Sequence, residues 1–532
     1  MEPLTRRSVI RGLGATIVLG PAAFRAAAAD GQSGPAAASP HLTHVNPQYL
    51  VTADEARAWH VTKDAHGGPT LAGSPSWRHF LEFTESALRA CGMVDVLRNP
   101  WNYERWFTTD WPQDENWSLR VAGQKIRVAS YGAYSGMTEP AGTTARLVAY
   151  RAGMAPAEVR GKIVVVPPGA VGPLGAQAAA LGQRALVGDY EYLADADTFP
   201  DPLAPRAAAG RFSSFGKLGV ESFVPFLREG RAAGLLFVVD LPYDVLAGTY
   251  SFRVPTRYDT PTLFLDRESG AQVVEAAKTR SWATLRLTAW SEMVETYQLF
   301  GYLPGRDYGT PRDQQIMLIT HTDGPSISQD NGALGILGLV QYFSKIPQAE
   351  RPRTLLVFLD NRHYMPGGEA AFDTQDYAAA HPKIHKPVVA AVGIEHLGQM
   401  EYTAEPDKPF HSTGQPELST VWITKNQQLV DLAIKAVKDN QLRRVQVQCP
   451  GQPGIHGGEQ GPWFGLGRIA ERLQVPGAAT MGSMTAYWST KARMEAFDAD
   501  HFVRQVATMA QFTGDLMVAD FAKLAAGEAA GR

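Results

Sequence analysis

Cysteine is nearly absent: Cys91 and Cys449 are the two in a chain of 532 residues. A disulfide framework is thereby excluded as the basis of the fold, and the pair admits either one bridge or two separately buried thiols. An excess of charge of one sign is also missing. Lys plus Arg number 50 against 53 Asp plus Glu, a formal net charge of -3, which gives no support to a nucleic-acid or anionic-membrane partner. Long hydrophobic runs are absent as well, so no stable membrane insertion is expected. Core material is plentiful, with 45% hydrophobic and 10% aromatic residues. A soluble globular protein of two or three domains is expected from that length and composition.

The N-terminus carries an address. Thr5 to Arg11 reads TRRSVIR, a twin-arginine pattern, and is followed by the apolar Gly12 to Phe24 and the small-residue run Ala26 to Ala29. That order is that of a signal peptide over 1–30, with export by the twin-arginine route to a periplasmic or extracellular location. A linker over 31–45 follows, in which Gly31 to Pro40 is rich in Gly, Ser, Ala and Pro.

The richest stretch for chemistry is Ile316 to Gly332, IMLITHTDGPSISQDNG. Ile316 to Ile319 reads as a buried strand ending in His321 and Asp323, and Asp330 is placed to cap a helix carrying Leu334, Leu337 and Val340. Leu355 to Phe358 is a second such strand, ending in Asp360, Asn361, Arg362 and His363. A third, Val388 to Ile394, ends in Glu395 and His396. Three strands that each deliver ionisable groups at their C-terminal ends place a site where open α/β sheets put their ligands. Imidazoles and carboxylates so placed suit Zn²⁺, although His321 alone is more often a satisfied buried histidine and Asp330 alone a helix cap. Upstream, Ser74-Pro75 opens a helix that stops near Gly92. The aromatic stretch holding Trp101, Tyr103, Trp106, Phe107, Trp111 and Trp117 is expected to be a loop packed on its own rings. Asp498 caps an amphipathic final helix whose Phe502, Val506, Met509 and Phe512 face a core.

Two resemblances follow from these residues. The strands Ile163 to Val166, Leu235 to Val239 and Leu263 to Leu265, with a helix over Ser269 to Ala277 and a strand over Ala283 to Ala289, resemble a protease-associated domain, which implies a non-catalytic insertion over 118–289. The remainder, 46–117 and 290–525, resembles the co-catalytic zinc exopeptidases that include bacterial leucyl aminopeptidases, glutamate carboxypeptidases and glutaminyl cyclases. The resemblance implies a three-layer α/β mixed-sheet fold with the β-rich domain inserted. By it His321 matches the first metal-binding His, Asp323 the Asp that orients it, Asp330 the bridging ligand and Glu395 the Asp/Glu ligand.

The match then departs from the family. Where a Glu-Glu pair is usual, Arg362 stands in the general-base position and His363 in a ligand position, and the final His is replaced near Trp488. His321, Asp330 and Glu395 then keep one pocket, while Asp330 and His363 alone would make the other, so one zinc ion is expected and a second is not. Arg362 is permanently cationic and cannot act as a base; it can hold a carboxylate or stabilise an oxyanion. Asp323, Glu459 and His456 are the candidates for another base. His456, Glu459 and Trp488 are placed at the substrate. The resulting expectation is an exported metal-dependent hydrolase acting on a small peptide or other small molecule. Its alternatives are a catalytically inactive ligand-binding homologue, cyclase-type acyl transfer, or hydrolysis of a carbohydrate.

Overall fold

The computed structural model describes residues 37–109, 115–170, 190–198, 217–250, 257–364, 382–405, 408–449, 465–482 and 492–521. The segment expected as a signal peptide, and with it His456, Glu459 and Trp488, lies outside these residues. The described residues belong to one compact unit. Among the described residues no helix is long and apolar enough to cross a membrane.

A nine-stranded mixed sheet organises the chain. Across it run Val94–Phe107, Trp290–Leu303, Thr354–Asp360, Gln315–His321, Val388–Gly393, Gly477–Gly482, Ser419–Ile423, Val445–Gln448 and Tyr192–Leu193. The central pairs are parallel: Gln315–His321 lies between Thr354–Asp360 and Val388–Gly393, with His321 directly beside Asp360. Parallel strands covered on both faces read as continuous apolar runs rather than alternating ones, and every residue of Gln315–His321 and Thr354–Asp360 is buried. Ile316 and Leu318 face one apolar cluster with helices Gly332–Ser344 and Ala499–Val518, while Met317 and Ile319 face the other. Phe502, Val506, Met509 and Phe512 are all buried in the first cluster, as their spacing predicts.

A second, eight-stranded sheet is built from strands between Trp117 and Leu287. Its parallel core holds Ile163–Val166, Gly234–Val238 and Thr262–Leu265, beside helix Arg267–Lys278. Leu119, Leu147, Leu236 and Val273 share one apolar cluster with Met317 and Phe358 of the large sheet. The stretch between these strands also supplies Tyr192–Leu193, which pairs with Val445–Gln448 at the far edge of the large sheet.

Two local expectations are corrected. Up to Phe107 the aromatic stretch is not a self-packed loop: Val94–Phe107 is a long strand paired in antiparallel register with Trp290–Leu303, Trp106 opposite Ser291; Trp111 lies outside the described residues. A partner strand nearly two hundred residues later supplies hydrogen bonds that no local pattern reveals. Asp330 is not the helix cap: Asn331 holds that position without a side-chain cap bond, and Asp330 is engaged elsewhere. The two cysteines are free thiols.

Candidate metal centre

The three central strands end side by side, and what leaves their ends is polar and buried. His321 is the last residue of its strand, and its Nδ1 lies 3.0 Å from the carbonyl oxygen of Asp323, which fixes the ring and turns Nε2 away. Glu395 follows Val388–Gly393 and is anchored by Thr480 of the neighbouring strand. Thr480 Oγ1 accepts the Glu395 N–H (2.9 Å) and donates to its carbonyl (2.9 Å). His396 takes a left-handed backbone conformation, φ 58°, which an L-residue adopts only when its surroundings impose it. Its Nδ1 accepts the Gly482 N–H at 3.3 Å.

His321, Glu395 and His396 each place a ligand atom within 4.8 Å of the others, the one such group among the described residues. Glu395 Oε2 lies 3.3 Å from His321 Nε2 and 3.5 Å from His396 Nε2. Tetrahedral zinc with bonds of about 2.0 Å sets its ligand atoms about 3.3 Å apart, which both separations from Glu395 match; His321, its Nδ1 at a carbonyl, presents a free Nε2, whereas His396 presents one only when its proton moves to Nδ1 and the Gly482 N–H turns away. Burial opposes charge on His321, but the carboxylates of Glu395 and Asp323, with Asp330 beyond, outweigh it and hold the pKa above the usual histidine value.

The surrounding carboxylates are already occupied. Asp330 Oδ1 lies 2.8 Å from Lys63 Nζ, and neither side chain exceeds 1% exposure; Thr70 donates to the other oxygen, and Lys63 also donates to the Ser326 carbonyl at 3.0 Å. Asp360 receives Arg362, with Nη2 to Oδ2 at 2.9 Å and Nε to Oδ1 at 3.0 Å. The Asp323 carboxylate accepts the backbone N–H groups of His363 (3.2 Å) and Tyr364 (2.7 Å), clamping the chain as it leaves Thr354–Asp360. Burial pushes Asp323 up to about 6 against the pull of His321 and of those two bonds.

The expected residues thus separate into groups. His321 and Glu395 lie together in the trio. Asp330 stands outside it in an ion pair, and His363 stacks face to face on His321 with ring centres 4.1 Å apart. Arg362 turns to Asp360. Asp323 orients His321 through its carbonyl rather than its carboxylate, which stays 3.9 Å from Nδ1. His396, which the sequence places beside Glu395 at a strand end, completes the trio.

Lys63 was missed. It belongs to helix Ala53–Asp64, whose buried positions are Ala56, His60 and Lys63; a lysine at helical spacing on an otherwise buried face is the signal that betrays it. His60, held near 3 by burial, lies 2.9 Å from Asn331 Nδ2. Asn331 in turn exchanges two bonds with the Leu397 backbone, 2.7 and 2.9 Å. Gly332 is required at the helix start because a Cβ there would meet the Ile394 carbonyl oxygen at 1.9 Å.

The sequence matches no family model and no curated protein. Solved structures do resemble the fold. An aminopeptidase from Aneurinibacillus sp. strain AM-1 superimposes with a TM-score of 0.55 at 13% identity, over 90% of this chain and 96% of that one. The zinc aminopeptidase BSAP from Bacillus subtilis gives 0.53 at 11% identity, over 87% and 95%. A peptidase M28 precursor from Shewanella amazonensis SB2B gives 0.59 at 14% identity, over 88% and 95%. The chain therefore has the mixed α/β fold of these aminopeptidases, over nearly their whole length.

Proposed function

We propose that this chain is a metal-dependent hydrolase of amide or related bonds in small substrates, exported after synthesis, with a single zinc ion held by His321, Glu395 and His396. The observation that carries the reading is the spacing of those donors at the C-terminal ends of adjacent strands. The fold shared with zinc aminopeptidases supports it.

An ion bound there would polarise a substrate carbonyl and make water a stronger nucleophile near neutral pH. The chain's own residues supply the rest. Asp323 fixes His321 through its carbonyl and, with its carboxylate, sets the turn that stacks His363 against the ring. Thr480 fixes the backbone of Glu395. The Asp323 carboxylate lies on the Nδ1 side of His321, away from Nε2, and accepts two backbone N–H groups, so its role here is to position the ring and the turn rather than to take a proton from water.

One observation favours a second reading, a ligand-binding protein without turnover. Asp330 and Asp360 are both neutralised by ion pairs, and Asp323 already holds two backbone N–H groups. Metal analysis of the purified chain, followed by a screen of aminoacyl, N-acyl and glycosidic chromogenic substrates, separates the readings. About one equivalent of zinc, lost in His321→Ala and His396→Ala, with hydrolysis of an amide class, is the expected result. Zinc retained in both variants would refute the trio, and zinc without turnover would leave the binding protein.

A further inference from the structure

A cavity of about 240 Å³ is walled by the end of strand Val94–Phe107, the loop into helix Pro75–Ala90, and the rings of Tyr131 and Tyr250. We propose that it binds a small carboxylate carried on an aromatic or apolar body.

Two donors among the residues of its wall have no acceptor, while hydroxyls of Ser74, Ser76 and Thr108 also line it. Trp106 is 3% exposed and its indole N–H has no acceptor; the Nε–H of Arg105 is likewise buried without one. Both are donors only, so the wall asks for an acceptor. No Asp or Glu lines the space. Arg105 is held in place before any ligand arrives: its Nη1 lies 2.8 Å from Glu292 and its guanidinium stacks 4.2 Å over the Phe107 ring. A fixed guanidinium edge with an unused N–H is the group that best recognises a planar anion. The first turn of the sixteen-residue helix Pro75–Ala90 adds its positive end to the same wall. Arg105 retains 14% exposure and also lines a second, more open hollow of about 490 Å³, so the anchor stands between enclosed and open space.

The rest of the wall mixes aromatic rings with His66, Ser74, Ser76 and Thr108. Trp106, Phe107, Tyr131 and Tyr250 offer ring faces, and burial holds the Tyr250 hydroxyl far above its ordinary pKa, so it remains neutral. The volume lies below the roughly 300–1,000 Å³ of drug-sized pockets, which fits a fragment such as an aryl or alkyl acid. Two links join the cavity to the metal trio. The Tyr250 ring lies 5.9 Å from that of Tyr364, itself 6.5 Å from His321. The Trp77 indole, in the first turn of the same helix, donates to Thr322 at 3.0 Å. Resting on the hydrolase reading, these links make the cavity the place where a substrate's acidic end is selected.

Isothermal titration of the full chain with phenylacetate and with its uncharged isostere phenylacetamide tests the proposal. The acid binds at one site and at least about tenfold more tightly than the amide, as a charge-assisted hydrogen bond requires. Arg105→Gln removes most of that preference, Trp106→Phe a smaller part, and His321→Ala none. Equal binding of acid and amide to the unmodified chain would overturn it without recourse to any variant. So would a preference that survives in a natively folded Arg105→Gln protein. A chain that binds the acid but hydrolyses nothing upholds the cavity and counts against the hydrolase. One that hydrolyses amides yet shows no preference for the acid overturns the cavity alone.

Discussion

Lys63→Met removes one charge of a buried pair and leaves the other. Lys63 and Asp330 are 1% and 0% exposed and 2.8 Å apart. Methionine fills most of the lysine volume, so the loss is one of charge rather than packing. Asp330 keeps its bond from Thr70, yet a buried carboxylate stripped of its ammonium costs about 3–5 kcal/mol. For residues 37–532 an unfolding entropy of about 2 cal/mol/K per residue makes 1 kcal/mol equivalent to about 1 °C in Tm. Calorimetry at pH 7 should therefore show Tm lowered by about 3–5 °C. Asp330→Asn should cost less, because burial already holds the Lys63 pKa below the usual lysine value and the freed amine can shed its proton. The double variant Lys63→Met/Asp330→Asn buries no charge and should recover at least about 2 kcal/mol of the loss, a coupling that the double-mutant cycle reads directly. A single variant within 1 °C of the parent would sink the reasoning, as would a double variant no better than the singles summed.

Two further outcomes follow from ionisation in the folded chain. Zinc must displace protons from His321, whose pKa is held above the ordinary histidine value; affinity followed with a competing chelator should fall as pH is lowered from 8 to 6, and a flat profile would remove His321 from the ligands. Burial pushes Asp515, in the last helix, up to about 7. The folded chain then holds this proton more tightly than the unfolded one, so the group's contribution to stability declines as pH rises from about 4 through 7. Asp515→Asn should raise stability at pH 8 by about 1–2 kcal/mol after solvent screening and change little at pH 4, by urea denaturation. An equal effect at both pH values would contradict that assignment.

The sheet was legible in the sequence because its central strands are buried on both faces and therefore read as uninterrupted apolar runs. Ile316 to Ile319, Leu355 to Phe358 and Val388 to Ile394 all fall on strands of the large sheet, within a residue or two of their ends. His321 and Glu395 were visible for the same reason: each stands where such a run stops. What local pattern could not supply is pairing at a distance. The partner of Asp330 lies 267 positions upstream, in a helix whose other buried residues are Ala56 and His60. The aromatic strand needed Trp290–Leu303 to become a strand at all. Arg362 was nearer to hand, since Asp360 is two residues away and a mostly buried guanidinium takes the closest carboxylate. His396 depends on a left-handed backbone turn that propensity disfavours.

The two-residue strand Tyr192–Leu193 sits against Val445–Gln448, at the end of the nine-stranded sheet. Without it the N–H and C=O groups along that side of Val445–Gln448 would be an open template for a strand from another molecule. The segment between Trp117 and Leu287 therefore also covers part of that edge, at Gln446 and Val447. Excising it to obtain a smaller protein would expose a sticky margin some distance from the cut.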